Sequence, residues 1–171
     1  VVIMEPLRGG SLAGRGPAQV QAVWQEGPAG RTPVDWALQW LWNQPEVSVV
    51  LSGMSTMDQV VENVESARRS AIGSMTAGET AFLGRVRQAY LALKPINCTA
   101  CEYCMPCPQG IRIPQVFSAY NDATMFGAIE LHRRMYSRIP EAERPGSCRE
   151  CGECEQSCPQ GLPVRELMKH I

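Results

Sequence analysis

The sequence predicts an α/β segment followed by a mainly helical, cysteine-rich segment within one chain of 171 residues. Three observations predict it. Residues 1–94 alternate short β-branched runs with patterns of helical period, the order expected of a parallel sheet covered by helices. All eight cysteines fall after position 97, whereas all four tryptophans precede position 95. Residues 95–171 have helix-like apolar spacing and no strand alternation. The boundary is placed at Lys94-Pro95, where a helical pattern stops at a proline, giving domains 1–94 and 95–171.

Residues 1–4, Val-Val-Ile-Met, read as a short buried strand. A Gly- and Pro-rich loop is expected over 6–30. Thr32-Pro33-Val34-Asp35 then reads as a helix start, with a capping hydroxyl, proline in the first turn and an acid near the positive helix end. Val34, Leu38 and Leu41 share one face of that helix, and Asn43-Gln44-Pro45 ends it. Residues 47–51, Val-Ser-Val-Val-Leu, read as the next buried parallel strand. A capping box from Thr56 to Gln59 opens a helix with Val60, Val61, Val64 and Ala67 as its apolar stripe. A second box, Thr76 to Glu79, opens a helix to about Leu93 with Phe82, Leu83, Val86 and Tyr90 inward. Trp36, Trp40 and Trp42 are expected to pack against neighbouring helices. Two strands cannot form a covered parallel sheet, so further strands are expected upstream or in another chain.

The second segment contains an internal repeat. Cys104-Met105-Pro106-Cys107-Pro108-Gln109-Gly110-Ile111 parallels Cys154-Glu155-Gln156-Ser157-Cys158-Pro159-Gln160-Gly161-Leu162. Between the two copies, residues 114–137 have helical spacing at Val116, Tyr120, Met125 and Ile129. Pro114 and Pro163 each suit a first helical turn. His132 and His170 read as surface or helix-end histidines, and Arg133-Arg134 as a solvated face.

Composition excludes several function classes. With 16 Lys+Arg against 17 Asp+Glu, the formal charge of −1 supplies no attraction for nucleic acid or an anionic membrane. No apolar run approaches the ~20 residues of a spanning helix. At 44% hydrophobic and 19% charged residues, the chain can build a core.

The cysteines carry the chemistry. The first set is Cys98-x2-Cys101-x2-Cys104-x2-Cys107-Pro108. The second is Cys148-x2-Cys151-x2-Cys154-x3-Cys158-Pro159, the spacing of a bacterial ferredoxin run. Three thiolates at two-residue intervals let one loop wrap a corner of a cubane, while its N–H groups face the sulfur. The fourth iron needs a ligand from elsewhere. Zinc is the competing reading, but a triple CxxCxxC with a trailing Cys-Pro is not the usual arrangement of a four-cysteine zinc site. Disulfides would need an oxidising compartment and strained CxxC bridges. Thiolate ligands favour a reducing, cytoplasmic setting.

With its helical spacer, this segment resembles the α-helical dicluster ferredoxin domain. In two-cluster ferredoxins the last cysteine of each run ligates the other cluster. The resemblance therefore implies two [4Fe–4S] clusters, one held by Cys98, Cys101, Cys104 and Cys158, the other by Cys148, Cys151, Cys154 and Cys107. Eight thiolates outweigh two dipositive cores, so the loaded tail would be acidic.

Residues 1–70 resemble the C-terminal end of an aldo/keto reductase. Residues 5–15, Glu-Pro-Leu-Arg-Gly-Gly-Ser-Leu-Ala-Gly-Arg, are similar to the loop after the seventh strand of that family's TIM (β/α)8 barrel. Residues 53–63, Gly-Met-Ser-Thr-Met-Asp-Gln-Val-Val-Glu-Asn, are similar to the loop and helix after the eighth. The resemblance implies a partial barrel of the last two βα units. It further implies nicotinamide contacts at Pro6, Leu7, Gly9, Arg15, Gly53, Ser55, Gln59, Glu62 and Asn63. Glycine permits close backbone approach to a pyrophosphate, and a helix N-terminus suits a phosphate. Gln59 stands where many members carry arginine, which leaves NADP(H) and NAD(H) both open. The family's catalytic residues lie on earlier strands, so this stretch alone is expected to be inactive.

The function so implied is nicotinamide-dependent carbonyl/alcohol chemistry in an intact protein, with the clusters exchanging single electrons with a redox partner protein. A small carbonyl or alcohol would be the substrate. Hydride carries two electrons and each cluster takes one. Direct exchange would need a converter such as a flavin, for which the sequence carries no signal. The competing reading makes the cluster domain a structural or partner-docking module, or a carrier without reductase activity.

Overall fold

A computed structural model describes residues 1–14 and 16–171, which form two units, Val1–Ala92 and Leu93–Ile171.

The first unit runs β1 (Val2–Ile3), a 3-10 turn (Ser11–Ala13), α1 (Ala18–Gln25), α2 (Pro33–Trp42), β2 (Val49–Val50), α3 (Met57–Arg68) and α4 (Ala77–Ala92). β1 and β2 pair in parallel, Val2 opposite Val49 and Ile3 opposite Val50. The parallel pairing is as expected, but each strand is shorter than its apolar run. Each has a single described neighbour, and Val2 and Val49 are exposed rather than buried. The described residues are mostly helical around this small sheet, so the partial barrel rests on the resemblance alone.

The helix starts follow their sequence signals. The Thr32 hydroxyl accepts from the Asp35 N–H at 3.1 Å, with Pro33 at the start of α2. The Thr76–Glu79 box is reciprocal: Glu79 N–H donates to the Thr76 hydroxyl, and Thr76 N–H to the Glu79 carboxylate. At α3 the Thr56 hydroxyl caps Gln59 N–H, but the Gln59 side chain accepts from Ser55 N–H, one residue earlier than a capping box requires.

Three expectations are corrected in this unit. The 6–30 segment is not all loop, since α1 forms within it. Its signal was Val20 and Trp24 at i,i+4 after Pro17, and Val20 is fully buried. The buried face of α2 is Asp35, Trp36, Leu38 and Gln39, with Val34 and Leu41 only half-buried and Trp40 45% exposed. The stripe on α3 is not buried either: Val61 is 54% and Val64 44% exposed. The contact of α2 with α3 is polar instead. Buried Gln39 donates from Nε2 to the Ser66 carbonyl at 2.6 Å, the Ser66 hydroxyl donates to Asp35, and Arg69 reaches Asp35 at 2.9 Å. A satisfied polar cluster of this kind carries no 3.6-residue hydrophobic signal.

Phe82, Val86 and Tyr90 of α4 are buried as expected. Phe82 sits edge-on to Trp24 at 5.6 Å and tilted against Trp36 at 5.3 Å. Gly27 lies directly over this ring: a Cβ there would stand 2.2 Å from the Phe82 ring. Because Trp24 and Trp36 hold the ring, Gly27→Ala is expected to destabilise the first unit by about 1–3 kcal/mol. Urea denaturation followed by tryptophan emission measures it; an unchanged midpoint would show the ring free to move.

The second unit runs α5 (Ile113–Phe126), α6 (Ile129–Ser137), 3-10 turns at Glu141–Glu143 and Pro145–Ser147, α7 (Glu153–Gln156) and α8 (Val164–Lys169). The expected helical spacer is two helices, parted where Gly127 caps α5 in the left-handed region. The core face of α5 is Ile113, Val116, Phe117 and Asn121, whereas Tyr120 and Ile129 are exposed. The face is offset because the buried aromatic is Phe117, not Tyr120. His132 is buried, not at the surface. Arg133 does lie on a solvated face, paired with Glu130. Among the described residues no helix is long and apolar enough to cross a membrane.

Candidate metal centre

The two cysteine runs fold alike. Ala100 and Glu150, each just before the second cysteine of its run, adopt φ 53° and 55°, and the next residue but one, Glu102 or Gly152, adopts 65° or 81°. A left-handed residue costs roughly 1–2 kcal/mol when it is not glycine. Here it turns the chain so that successive thiols face one side. In both runs the N–H of the left-handed residue points at sulfur: Ala100 to Cys98 Sγ and Glu150 to Cys148 Sγ, each at 3.4 Å.

The likeness continues past each Cys-Pro. Gly110 and Gly161 are left-handed and bond back to the Cys107 and Cys158 carbonyls at 2.8 and 3.1 Å. Ile113 N–H then bonds Ile111 O, and Val164 N–H bonds Leu162 O. Each copy delivers a buried aliphatic at the start of a helix, Ile113 on α5 and Val164 on α8, with Phe117 and Met168 one turn later.

These backbones make two small, partly open clefts. Cys98, Cys101, Cys104 and Cys158 line the first. Cys107, Cys148, Cys151 and Cys154 line the second. Each cleft thus gathers three cysteines of one run and the last of the other. The shorter Cys104–Cys107 gap does not keep Cys107 from the second set. Ile113 and Val164 line both clefts and form the wall between them.

All eight cysteines are free thiols. Among the described residues, no three His, Cys, Asp or Glu side chains converge as on a single metal ion. Zinc needs sulfur at about 2.3 Å around one point. The thiols here surround a volume instead, and the donor set fits a cluster. Residues 97–162 match the family model of a 4Fe-4S dicluster domain. All eight cysteines lie inside that stretch. No curated protein and no solved structure matches the chain. The second unit is therefore an iron–sulfur domain of dicluster type, a class that serves electron transfer.

Sequence reading missed Asn121. It is buried on α5, where its side chain accepts from Ile96 N–H and donates to Ile96 O, both at 2.9 Å. The Ile96 carbonyl also accepts from Cys98 N–H at 2.8 Å, so this amide holds the entry to the first cysteine loop. Asn121→Leu strands the buried Ile96 N–H, at about 1–3 kcal/mol, and leaves the Ile96 carbonyl with Cys98 alone. The variant is expected to lose iron from the first site faster than from the second under chelator; equal rates would refute that role.

Burial pushes the Cys104 thiol up. It pushes Cys154 from 9.0 up to about 11, aided by the Glu155 carboxylate. Since the folded value lies above the unfolded one, this contribution to stability is whole below pH 9.0 and is lost as pH rises to about 11.

The resemblance-derived nicotinamide residues scatter in exposure. Pro6 and Leu7 are half-buried, as is Asn63, whose amide donates to the Ser52 hydroxyl at 3.2 Å. Gly9, Gly53, Ser55, Gln59 and Glu62 are exposed. Gly9, at φ 63°, and Gly53 have open space where a Cβ would stand. Gln59 Oε1 is engaged by Ser55. Glu62 and Asn63 line an open cleft with Thr32, Asp35 and Arg69. Arg15 lies outside the described residues.

Proposed function

We propose that the second unit is a one-electron relay carrying two [4Fe–4S] clusters, attached to a nicotinamide-dependent oxidoreductase of aldo/keto reductase type. The observation that carries the relay is the pair of four-thiol clefts sharing one aliphatic wall. Cys98, Cys101, Cys104 and Cys158 would hold one cluster, and Cys148, Cys151, Cys154 and Cys107 the other. When bound, each cluster supplies reversible uptake of one electron. The chain's own part is to present thiolates, point N–H groups at two of them and interpose Ile113 and Val164.

For the first unit, the parallel β1–β2 pair supports the reading, because the two loops resembling the nicotinamide contacts leave the same end of the sheet. Pro6, Leu7, Gly9, Arg15, Gly53, Ser55, Gln59, Glu62 and Asn63 would contact NADP(H) or NAD(H). Catalytic groups, a small carbonyl or alcohol substrate and a redox partner protein belong to the intact protein. A cytoplasmic location follows from the need to keep eight thiols reduced.

The second reading, a structural or docking module, is favoured by one observation: five partly buried cysteines of the two runs, Cys98, Cys104, Cys107, Cys148 and Cys154, pack on the hydrophobic core itself. Anaerobic potentiometry decides between them. The relay requires both clusters to be reduced at potentials that flavin or ferredoxin donors reach, and clusters inert throughout that range would leave only the structural role. For the first unit, the complete reading frame should carry the family's Tyr and Lys at the proper spacing upstream. Their absence would end the reductase reading.

A further inference from the structure

The two clefts are near-copies in backbone but not in charge. In the first, the position one residue into α5 is Pro114; its equivalent on α8 is Arg165. The first cleft is lined by the carboxylate-bearing Glu102 and by no cation. The second is lined by Arg149 and Arg165 and by no carboxylate. Lys94 does not line the first cleft, although it donates to the Cys98 carbonyl at 2.8 Å.

Arg165 is held in place. Its Nε and a terminal nitrogen reach Glu155 Oε2 at 2.9 and 2.7 Å, and its backbone N–H donates to Glu155 Oε1 at 2.8 Å. Gly152 lies beside it: a Cβ there would stand 3.7 Å from the guanidinium carbon, an ordinary van der Waals contact. Glu155 itself follows the ligand Cys154. Glu150 of the same loop pairs with Lys169 at 2.8 Å. A fixed guanidinium thus faces the second cleft, and the carboxylate that offsets it sits beside a ligand.

We propose that this asymmetry makes the cluster held by Cys107, Cys148, Cys151 and Cys154 the one of higher potential, and that the Arg165–Glu155 pair sets the difference. The inference rests on the two-cluster reading above. Each cluster takes up one electron with no bond or proton moved, so its negative charge grows by one on reduction. A neighbouring cation favours that form and an anion opposes it. Arg165 and Glu155 therefore act with opposite sign on one site, while the other site feels neither at close range.

The test is anaerobic redox titration of the full chain, followed by electron paramagnetic resonance, for wild type, Arg165→Gln and Glu155→Gln. Iron and acid-labile sulfide are measured on each sample. Two resolved waves are expected. Arg165→Gln should lower the upper wave, Glu155→Gln should raise it, and neither should move the lower one. Added salt should shrink both shifts. Movement of the lower wave, shifts of the same sign, or no shift at full iron content would overturn the proposal. Should Arg165→Gln fail to retain iron, Glu155→Gln, which keeps an acceptor for the Arg165 N–H, still decides the sign. Wild-type protein that assembles no clusters would instead remove the reading beneath it.

Discussion

Cys158→Ala is expected to remove the cluster of Cys98, Cys101 and Cys104, fifty residues away in sequence, and to spare the cluster of its own run. Iron should fall from about eight to about four per chain, and the residual spectrum should equal that of Cys101→Ala and differ from that of Cys151→Ala. The reason is spatial: Cys158 lines the first cleft, and Cys107 the second. If each run kept its own last cysteine, Cys158→Ala would match Cys151→Ala instead.

Stripping the iron is expected to unfold the second unit and leave the first intact. The core residues Ile113, Phe117, Val164 and Met168 are also cleft walls, so removing the clusters takes packing from the core while leaving half-buried thiols without their iron. Structural metal sites contribute on the order of 10 kcal/mol. That is comparable to the whole stability of a small domain, about 5–15 kcal/mol. All four tryptophans belong to the first unit, so the two responses separate. Anaerobic chelation after oxidation should lower far-ultraviolet helicity while the tryptophan emission maximum stays put. Helicity retained in iron-free protein would show a core that stands without clusters.

The cluster site was unusually legible. Cysteine spacing is a local property, and a loop that must wrap one corner of a cubane writes its geometry into consecutive residues. The repeat set Gly110 and Gly161 at matching positions, and the structure turns the chain alike at both. The amphipathic faces were less legible. The α3 stripe of Val61 and Val64 has correct helical period yet is exposed, because periodicity reports an apolar face and not whether anything covers it. The polar contact between α2 and α3 was invisible for the opposite reason: Asp35, Gln39 and Ser66 are buried by satisfying one another across 27 to 31 residues.

By itself the sequence determined the two-part organisation, the starts of α2 and α4, the parallel order of β1 and β2, and the identity of eight metal-ligand candidates. These are set by caps, prolines and spacings within a few residues, where local sterics and hydrogen bonding dominate. Only the tertiary structure brought the four thiols of each implied set around one cleft, and decided that Ile113 and Val164 separate the two clefts, that Asn121 pins the first loop, and that Arg165 faces the second site. Those arrangements join residues many turns apart, and their partners are chosen by how α5 and α8 pack rather than by any signal in the chain between them.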